Sequence, residues 1–331
     1  MKNDSTLRWG LLSTARINRA LIPPIRKSKR SRLLAVASRS QASAEEFAQK
    51  WQIQRIHTSY ESMLADPAID VIYNPLPNSL HAEWCIKAVQ AGKHVLCEKP
   101  LAISLAEVDA LRAASAQTGK VITEALMYRH HPQTLKVKEI IDSGAIGKIR
   151  LIRGAFTYIA SRPNNVRFDP TLGGGSIWDV GCYPISYTRA MVGFEPEEVF
   201  GWQTISPAGV DSHFVGQMRF PGNTYAQFDS SFITPYAPFV EIIGDQGTLF
   251  IPKPFVPGKN EKIILKQGDH SQTIRIQGPD LYQGEVADIE DAILLGKQPR
   301  VTLEDSRNNT AVILALLESA HLGHPIRPIY N

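Results

Sequence analysis

The sequence is poor in cysteine and contains no long apolar run. Its 331 residues include three cysteines (Cys85, Cys97 and Cys182), an odd number at distant positions, which is typical of reduced thiols in a cytoplasmic protein. No apolar run approaches the ~18 residues that a membrane-spanning helix needs. Residues 1–7 are polar and lack the apolar segment of a secretory signal. We therefore expect a cytoplasmic protein that makes no contact with a membrane.

An excess of charge of one sign is also missing. The 36 Lys and Arg residues against 32 Asp and Glu residues leave a formal net charge of +4. The basic residues are scattered, and no nucleic-acid-binding motif accompanies them, so no nucleic-acid partner is expected. The hydrophobic content of 43% excludes a disordered chain, and the 23 Gly and 22 Pro without a fixed period exclude a collagen-like or repeat protein. The length predicts a folded chain of two domains.

A metal site is not indicated either. His81 and Cys85 lie four residues apart, and His130 and His131 are adjacent, but no further ligand follows at zinc spacing. The H-E-x-x-H pattern of metalloproteases is absent too. We expect no bound metal, and a metal-dependent hydrolase is the less favoured alternative.

The two halves of the chain differ in their apolar pattern. In residues 7–126, short apolar runs alternate with helical patterns, which predicts βαβ units and a parallel, doubly wound Rossmann sheet. A helix at 17–27 is expected to be disturbed by Pro23 and Pro24. After residue 126 the pattern becomes β-rich and ends in two helices, at 284–295 and 303–322. We therefore expect an α/β chain with a dinucleotide-binding domain at 1–126 and an α+β domain with a mainly antiparallel sheet at 127–331. The strands expected in the second domain are 149–158, 199–205, 214–220, 224–232, 240–244 and 248–251.

The turn after the first expected strand is a candidate nucleotide site. The usual G-x-G-x-x-G fingerprint is replaced there by Ser13-Thr14-Ala15-Arg16-Ile17. Small Ser13 and Ala15 still allow a phosphate to approach, and the backbone N–H groups of a helix N-terminus bind a pyrophosphate. The same residues also fit an ordinary capped turn, so this segment alone leaves both interpretations open.

The end of the second expected strand bears on the choice of cofactor. NAD sites have Asp or Glu there, to accept a hydrogen bond from the ribose 2′-OH, whereas this chain has Ser38-Arg39-Ser40. The permanently charged guanidinium of Arg39 is suited to bind a 2′-phosphate with two hydrogen bonds. NADP(H) is therefore favoured over NAD(H). An Arg39 that is merely exposed to solvent is the alternative.

Glu98-Lys99-Pro100 follows another expected strand, at the edge where open α/β sheets bind ligands. Pro100 biases Lys99 toward an extended backbone, which could direct the ammonium group at a reacting oxygen. A lysine on the protein surface is the alternative.

A glycine run, Gly173-Gly174-Gly175, precedes Asp179 and Tyr183. These two residues lie on one face if a helix begins directly after the glycines, although Pro184 argues for a later start. A nearby ammonium group such as that of Lys99 favours the phenolate form of a tyrosine, so Lys99 and Tyr183 are candidates for a proton relay. The alternative is an Asp179 that caps a helix and a Tyr183 that belongs to the core.

Together these segments resemble the glucose–fructose oxidoreductase/inositol dehydrogenase/MocA (Gfo/Idh/MocA) family over essentially the whole chain. The motifs follow the family's order: residues 9–17, residues 73–78 with His81, Glu98-Lys99-Pro100, the glycine run with Asp179, Gly181 and Tyr183, and the helix at 306–323.

The resemblance implies a nicotinamide cofactor, a sugar-like or cyclic polyol substrate, and a homo-oligomer (dimer or tetramer) formed through a large open sheet of the second domain. It implies Lys99, Tyr183 and Asp179 as catalytic residues, and these three with Arg129 as substrate-binding residues. The candidate cofactor-binding residues are Ser13, Thr14, Ala15, Arg16, Ile17, Ser38, Arg39, Ser40, Pro75, Leu76, Asn78, His81, Glu98, Lys99, Met127 and Trp178.

Two departures from the family's pattern favour its tyrosine branch, which contains sugar 3-ketoreductases and dihydrodiol or xylose dehydrogenases. Tyr183 stands where inositol dehydrogenases have histidine, and Ser186 stands where an aspartate is frequent. Met127 and residues 130–133 resemble the ketoreductases, whereas Arg129 resembles the dihydrodiol and xylose dehydrogenases. Two alternatives stay open: a regulator that binds NADP and a metabolite without turnover, and a glycosidase that uses bound NAD transiently.

Overall fold

The computed structural model describes residues 6–160 and 165–330. The chain forms two compact units: the first is Met1–Met127 with Tyr282–Ser306, and the second is Tyr128–Leu281 with Arg307–Asn331. Most of the polar N-terminus, on which the expected absence of a signal rests, lies outside the described residues. Within those residues, no helix has the length and apolar character that a membrane crossing requires.

The regular elements follow in chain order. The strands are β1 (Leu7–Leu12), β2 (Ser31–Ala37), β3 (Arg55–His57), β4 (Val71–Asn74), β5 (His94–Glu98), β6 (Ile122–Ala125), β7 (Ile149–Thr157), β8 (Glu198–Ile205), β9 (Asp211–Phe220), β10 (Thr224–Ser231), β11 (Phe239–Gly244), β12 (Thr248–Ile251), β13 (Asn260–Gln267) and β14 (His270–Gln277). The α-helices are α1 (Asn18–Lys27), α2 (Gln41–Trp51), α3 (Tyr60–Leu64), α4 (His81–Gln90), α5 (Leu105–Thr118), α6 (Pro132–Asp142), α7 (Cys182–Val192), α8 (Gln283–Leu295) and α9 (Leu303–Leu322).

The first unit is built on a six-stranded sheet in the order β3-β2-β1-β4-β5-β6, and all neighbouring strands are parallel. The strand order reverses beside β1, which is the point where open α/β sheets bind ligands beyond the carboxyl ends of their strands. The expected Rossmann sheet is confirmed. The capping box that opens α5, with Ser104 and Glu107 bonding to each other's backbone, fixes one of the flanking helices.

Helix α8 completes the core of the first unit, although it follows the second unit's strands in the sequence. Val286 and Ile289 are buried in one cluster with Trp9, Leu21 and Tyr73. The sequence-based division at residue 126 had left this helix in the second domain. A helical period shows that one face is apolar, but it does not show which sheet that face covers.

Helix α1 continues through Pro23 and Pro24, so the disturbance expected there does not interrupt it. The two prolines remove backbone donors from the helix. Burial of Leu21, Ile22 and Ile25 on its inner face offsets that loss, because most helical stability in proteins comes from tertiary packing.

The second unit is built on an eight-stranded sheet in the order β14-β13-β12-β11-β7-β10-β9-β8. Only β7 and β10 pair in parallel, so the expectation of a mainly antiparallel sheet is confirmed. The edge hairpin of β13 and β14 was not predicted. Most of its side chains are exposed, and β14 buries little beyond Ile276, so only the short alternation of Ile274 and Ile276 with polar residues marks this strand in the sequence.

Candidate active site

The turn after β1, the candidate nucleotide site, adopts a left-handed backbone conformation at a residue that is not glycine. Ser13 lies in the left-handed region with φ 71°. Its Oγ accepts a hydrogen bond from the backbone N–H of Ala15 (3.2 Å), and its carbonyl oxygen accepts one from Nδ2 of Asn18 (2.8 Å). Within the described residues, α1 begins with no side-chain cap and no acidic residue in its first turn. These features fit a pyrophosphate at the helix N-terminus.

Arg39 is exposed just beyond the carboxyl end of β2, the strand next to β1. Ser38 is buried and its Oγ accepts from the backbone N–H of Ser40 (3.2 Å), which begins the turn into α2. The guanidinium lies beside the hydroxyl of Tyr60, where burial raises the pKa of the phenol and Arg39 opposes that rise. The arrangement fits a negatively charged group on the adenosine side of a dinucleotide.

His81 joins two of the candidate turns. Its ring is fully buried, with Nδ1 2.7 Å from the carbonyl oxygen of Pro100 and Nε2 2.7 Å from that of Leu76. Burial lowers the pKa of His81. Both ring nitrogens therefore face protein carbonyls, and the ring ties the turn after β4 to the turn that carries Lys99. A direct contact of His81 with the cofactor stays a prediction.

Hydrogen bonds of the neighbouring residues also fix the turn that carries Lys99. Glu98 accepts a hydrogen bond from the hydroxyl of Tyr73. The backbone N–H of Leu101 donates to Glu124 at 2.9 Å. Lys99 itself is half-buried, and its peptide bond to Pro100 is cis. Lys99 thus lies between two residues, Glu98 and Leu101, that are each held by a hydrogen bond.

The remaining candidate cofactor residues of the first unit follow the same strand ends. Pro75, Leu76 and Asn78 come after β4, and Met127 comes after β6. Because the strands are parallel, all of these positions lie at one edge of the sheet.

In the second unit, Asp179 and Tyr183 lie on one continuous helical segment. A π-helical turn, Ile177–Gly181, runs directly into α7. Pro184 lies in the first turn of α7, where a missing N–H group is tolerated. The helix therefore does not start later than Asp179, as Pro184 had suggested. Four residues make about one turn in either geometry, which keeps the two side chains on neighbouring positions.

Asp179 is the centre of a polar group that the sequence did not reveal. Its Oδ2 accepts hydrogen bonds from the hydroxyl of Tyr158 (2.7 Å) and from Nε of Arg167 (2.7 Å). The carboxylate raises the pKa of Arg167, and Tyr183 contributes to the same rise, so the guanidinium lies near both site residues. Burial, with a further contribution from Asp179, raises the pKa of Tyr158. Tyr158 follows β7 and Arg167 lies in a short 3₁₀ helix, Val166–Phe168, and no local spacing in the sequence connects either residue with Asp179.

Tyr183 is positioned by an aromatic wall. Its ring centroid lies 5.2 Å from that of Phe156, 5.7 Å from that of Tyr128 and 5.8 Å from that of Phe255. The residue is 5% exposed, so packing fixes its ring while a small part of it stays accessible. Both expected roles, core aromatic and site residue, are compatible with this placement.

Two further candidates also belong to the helical segment or its surroundings. Arg129 donates from Nη1 to Oγ of Ser186 at 3.2 Å, which joins the residue that resembles the dihydrodiol and xylose dehydrogenases to the one that stands where an aspartate is frequent. Trp178 is buried in the π-helical turn. Across residues 6–160 and 165–330, no three His, Cys, Asp or Glu side chains group as ligands for a metal ion. The candidate catalytic residues are divided between the units, with Lys99 in the first and Asp179 and Tyr183 in the second.

Sequence profiles of known families match both units. The profile described as "Oxidoreductase family, NAD-binding Rossmann fold" matches residues 7–126, and that of the "GFO/IDH/MocA C-terminal domain" matches residues 134–250. The chain belongs to the Gfo/Idh/MocA family of oxidoreductases. The family expected from the sequence motifs is therefore confirmed.

Relatives within this family include enzymes that act on sugars. D-xylose 1-dehydrogenase (NADP(+)) 2 of Haloferax volcanii is 34% identical over 96% of this chain and 98% of its own. A dTDP-3,4-didehydro-2,6-dideoxy-alpha-D-glucose 3-reductase of Actinomadura kijaniata is 28% identical over 96% and 97% of the two chains. A crystal structure of a 3-ketoreductase from Actinomadura kijaniata, in complex with NADP and TDP-benzene, matches with a TM-score of 0.90 and 27% identity over 95% of this chain and 98% of that one.

Proposed function

We propose that this protein is an NADP(H)-dependent oxidoreductase that transfers a hydride between nicotinamide and a carbon of a sugar or sugar-derived alcohol or ketone. Membership of the Gfo/Idh/MocA family supports the reaction type. The sugar dehydrogenase and the ketoreductase named above support a sugar-related substrate. Arg39 after β2, together with the NADP named for two of these relatives, supports NADP(H) over NAD(H).

The cofactor, when bound, supplies or accepts the hydride. The turn Ser13–Ile17 would hold its pyrophosphate through backbone N–H groups, and Arg39 would hold the 2′-phosphate. The anchored turn around Lys99 would lie on the nicotinamide side, because it follows β5, on the opposite side of β1 from β2.

The chain's own residues would manage the proton. Tyr183 would give the proton to the substrate oxygen in reduction and take it in oxidation. Lys99 would stabilise negative charge on that oxygen and favour the phenolate form of Tyr183. Asp179 is engaged by Tyr158 and Arg167, which supports a role in fixing the charged groups around Tyr183.

One observation carries the proposal. Tyr183 stands beside an ion pair of Asp179 and Arg167 that is itself braced by Tyr158. A protein that only binds a metabolite has no need of a phenol beside a fixed ion pair, whereas an acid–base catalyst can use the neighbouring charges to adjust its proton transfer.

Two substitutions test the relay. Lys99→Met and Tyr183→Phe should each lower kcat by about 10²–10⁴-fold, because each removes a group that acts on the reacting oxygen. Turnover is followed by nicotinamide absorbance with NADPH or NADP against free aldoses, nucleotide-linked keto sugars and dihydrodiols. Cofactor affinity, measured by fluorescence titration, should stay nearly unchanged.

Matched controls are available for both substitutions. Lys87→Met removes an exposed lysine of α4, and Tyr187→Phe removes a buried hydroxyl one turn after Tyr183, and both variants should keep their turnover. Near-wild-type turnover of Lys99→Met and Tyr183→Phe would refute the relay. Tight cofactor binding without turnover of any substrate would favour the regulator, and cleavage of a glycoside without net absorbance change would favour the glycosidase.

We further propose a cytoplasmic homo-oligomer, in which the outer face of the eight-stranded sheet forms the contact between subunits. Trp202, Val215 and Tyr225 are exposed on this face, and Trp202 and Val215 are partners in the β8–β9 register. Exposed apolar side chains that adjoin one another in this way are typical of a protein–protein interface. The location is supported by the three buried cysteines, among which the structure has no disulfide within the described residues.

A further inference from the structure

The glycine run before the site helix is explained by the close approach of Asp211, the first residue of β9. A Cβ on Gly175 would lie 2.2 Å from Oδ1 of Asp211, and Gly175 has φ 124°, where other residues are strained. A Cβ on Gly174 would lie 2.6 Å from the carbonyl oxygen of Arg167, so the neighbouring glycine is needed for a different contact. Only glycine leaves room for the carboxylate of Asp211 at the helix start.

Asp211 caps the site helix from a neighbouring strand. Its Oδ2 accepts hydrogen bonds from Oγ of Ser176 (2.5 Å) and from the backbone N–H of Ile177 (2.9 Å). Ser176, which stands at the N-cap position of the π-helical turn, makes no side-chain cap there. A carboxylate at a helix N-terminus satisfies backbone N–H groups that would otherwise be left without a partner and interacts favourably with the helix dipole. The first turn of the helix that carries Asp179 and Tyr183 is therefore held by a residue from β9.

A second strand contributes to the same anchor. Oγ of Ser230, in β10, lies 3.0 Å from Oγ of Ser176. A Cβ on Gly181 would lie 3.0 Å from Oγ of Ser230, so the helix also passes very close to this strand. The helical segment thus contacts β9 and β10 at its start, and β10 again at its fifth residue, Gly181. Both strands belong to the same sheet.

We propose that Asp211 is a positioning residue of the reaction: its carboxylate fixes the helical turn that presents Asp179 and Tyr183, and its protonation sets the acid limit of activity. This role rests on the proposed function, because it concerns the placement of the relay tyrosine.

The surroundings of Asp211 make its ionisation sensitive to mildly acidic pH. The groups that hydrogen-bond to its carboxylate are the hydroxyl of Ser176 and the backbone N–H groups of Ser176, Ile177 and Asp211 itself. Burial raises the pKa of Asp211 to about 6, and the hydrogen bonds partly oppose that rise. A carboxylate accepts these bonds about twice as strongly as a neutral acid, so protonation loosens the helix start.

The isosteric variant Asp211→Asn tests the positioning role. Its kcat should fall about 10- to 100-fold, because a small displacement of a catalytic group has effects of that size. The KM for NADPH should stay unchanged. Wild-type kcat should fall as the pH drops through about 6, and this acid limb should be absent from Asp211→Asn. In Ser176→Ala the limb should persist and move to higher pH, because the carboxylate loses one stabilising hydrogen bond.

Amide hydrogen exchange gives a readout that does not depend on turnover. The reference is the wild type at neutral pH. Relative to it, the amides of residues 177–183 should exchange faster in Asp211→Asn. They should also exchange faster in the wild type below about pH 6, after correction for intrinsic rates. The amides of α6 serve as the internal reference and should not change. Unaltered exchange at 177–183, or an unchanged acid limb in Asp211→Asn, would overturn the positioning role. Should the wild type turn over no substrate, the proposed function fails, and the exchange measurement alone then decides whether Asp211 holds the helix.

Discussion

At the level of single residues, the candidate cofactor turn does not need the glycine fingerprint for its proposed role, because a phosphate would be bound there by the backbone. Ser13 takes the left-handed conformation itself, and its side chain closes the turn onto Ala15. The N–H groups that bind a phosphate are present whatever the side chain, provided the side chain is small. The sequence therefore supported the site through the size and position of Ser13 and Ala15 rather than through a motif.

Arg39 gives the sharpest test of cofactor choice. Arg39→Asp should weaken NADPH binding by about 10- to 100-fold, because it removes charge-assisted hydrogen bonds to the 2′-phosphate and adds a like charge. Binding of NADH, which has no 2′-phosphate, should be unchanged or improved. Fluorescence titration with NADPH and with NADH measures the ratio of the two dissociation constants.

The control for this substitution lies on the same strand. Arg32 is exposed near the amino end of β2, away from the edge where ligands bind, so Arg32→Asp should leave both affinities as they are. An Arg39→Asp variant that keeps the wild-type preference for NADPH would show that the 2′-phosphate is recognised elsewhere.

Other residues of the site could not have been found from the sequence, for a common physical reason. Tyr158 and Arg167 act on Asp179 across 21 and 12 residues, and each belongs to a different element. His81 was expected beside the cofactor, which stays a prediction, and the link that its ring makes between two backbone turns was not foreseen. Residue type and position along a strand indicated candidates for the chemistry, whereas the partners that orient these candidates depend on the tertiary fold.

At the level of elements, the sequence predicted the bounds of one long helix and one short strand directly. Helix α9 has the bounds expected for it, and β12 was expected at the same residues. The polar edge hairpin of β13 and β14 was missed, since edge strands expose most of their side chains. The π-helical turn before α7 was not expected, and it allows the helix to start early despite Pro184.

Helix α8 carries two buried acids with opposite surroundings, which predicts opposite effects on stability. Neither carboxyl oxygen of Glu285 has a hydrogen-bond partner in the described part of the chain, and burial, with Glu98 nearby, raises its pKa well above the usual range. The unfolded chain therefore releases this proton at lower pH than the folded protein. Glu285 thus costs stability progressively as the pH rises above about 4.5. Glu285→Gln should raise Tm at neutral pH and change it little at about pH 4.5.

Glu290, one and a half turns further along α8, is the matched control. It accepts hydrogen bonds from Ser28 (2.5 Å), Ser31 (2.5 Å) and Arg30 (3.1 Å). Glu290→Gln should lower stability by about 1–3 kcal/mol at neutral pH, because buried partners lose their acceptor. Thermal denaturation across pH measures both variants, and a Glu285→Gln variant that is no more stable than the wild type at neutral pH would contradict the unpaired state of this acid.

At the level of the whole molecule, the chain leaves its first unit after Met127 and returns to it for Tyr282–Ser306. The returning segment supplies α8 to the Rossmann core, and Thr123 of β6 donates to the carbonyl oxygen of Val301 at 2.9 Å. A linear division of the sequence cannot show such a return, because periodicity is local. The two family profiles end at residues 126 and 250 and leave the returning segment outside both.

The outer face of the eight-stranded sheet carries the expected contact between subunits. Trp202 is 55% exposed and Val215 is 38% exposed, and the two side chains adjoin across β8 and β9. We expect the wild type to sediment at a multiple of the chain mass, and Trp202→Glu to sediment at a smaller multiple. A charge placed in an apolar contact loses its hydration without gaining a partner. Phe194→Glu is the control, because Phe194 is 64% exposed but lies after α7, outside the sheet, and its substitution should leave the assembly intact. A monomeric wild type would show that this contact does not form. An assembly that survives Trp202→Glu but not Phe194→Glu would place the contact on another surface.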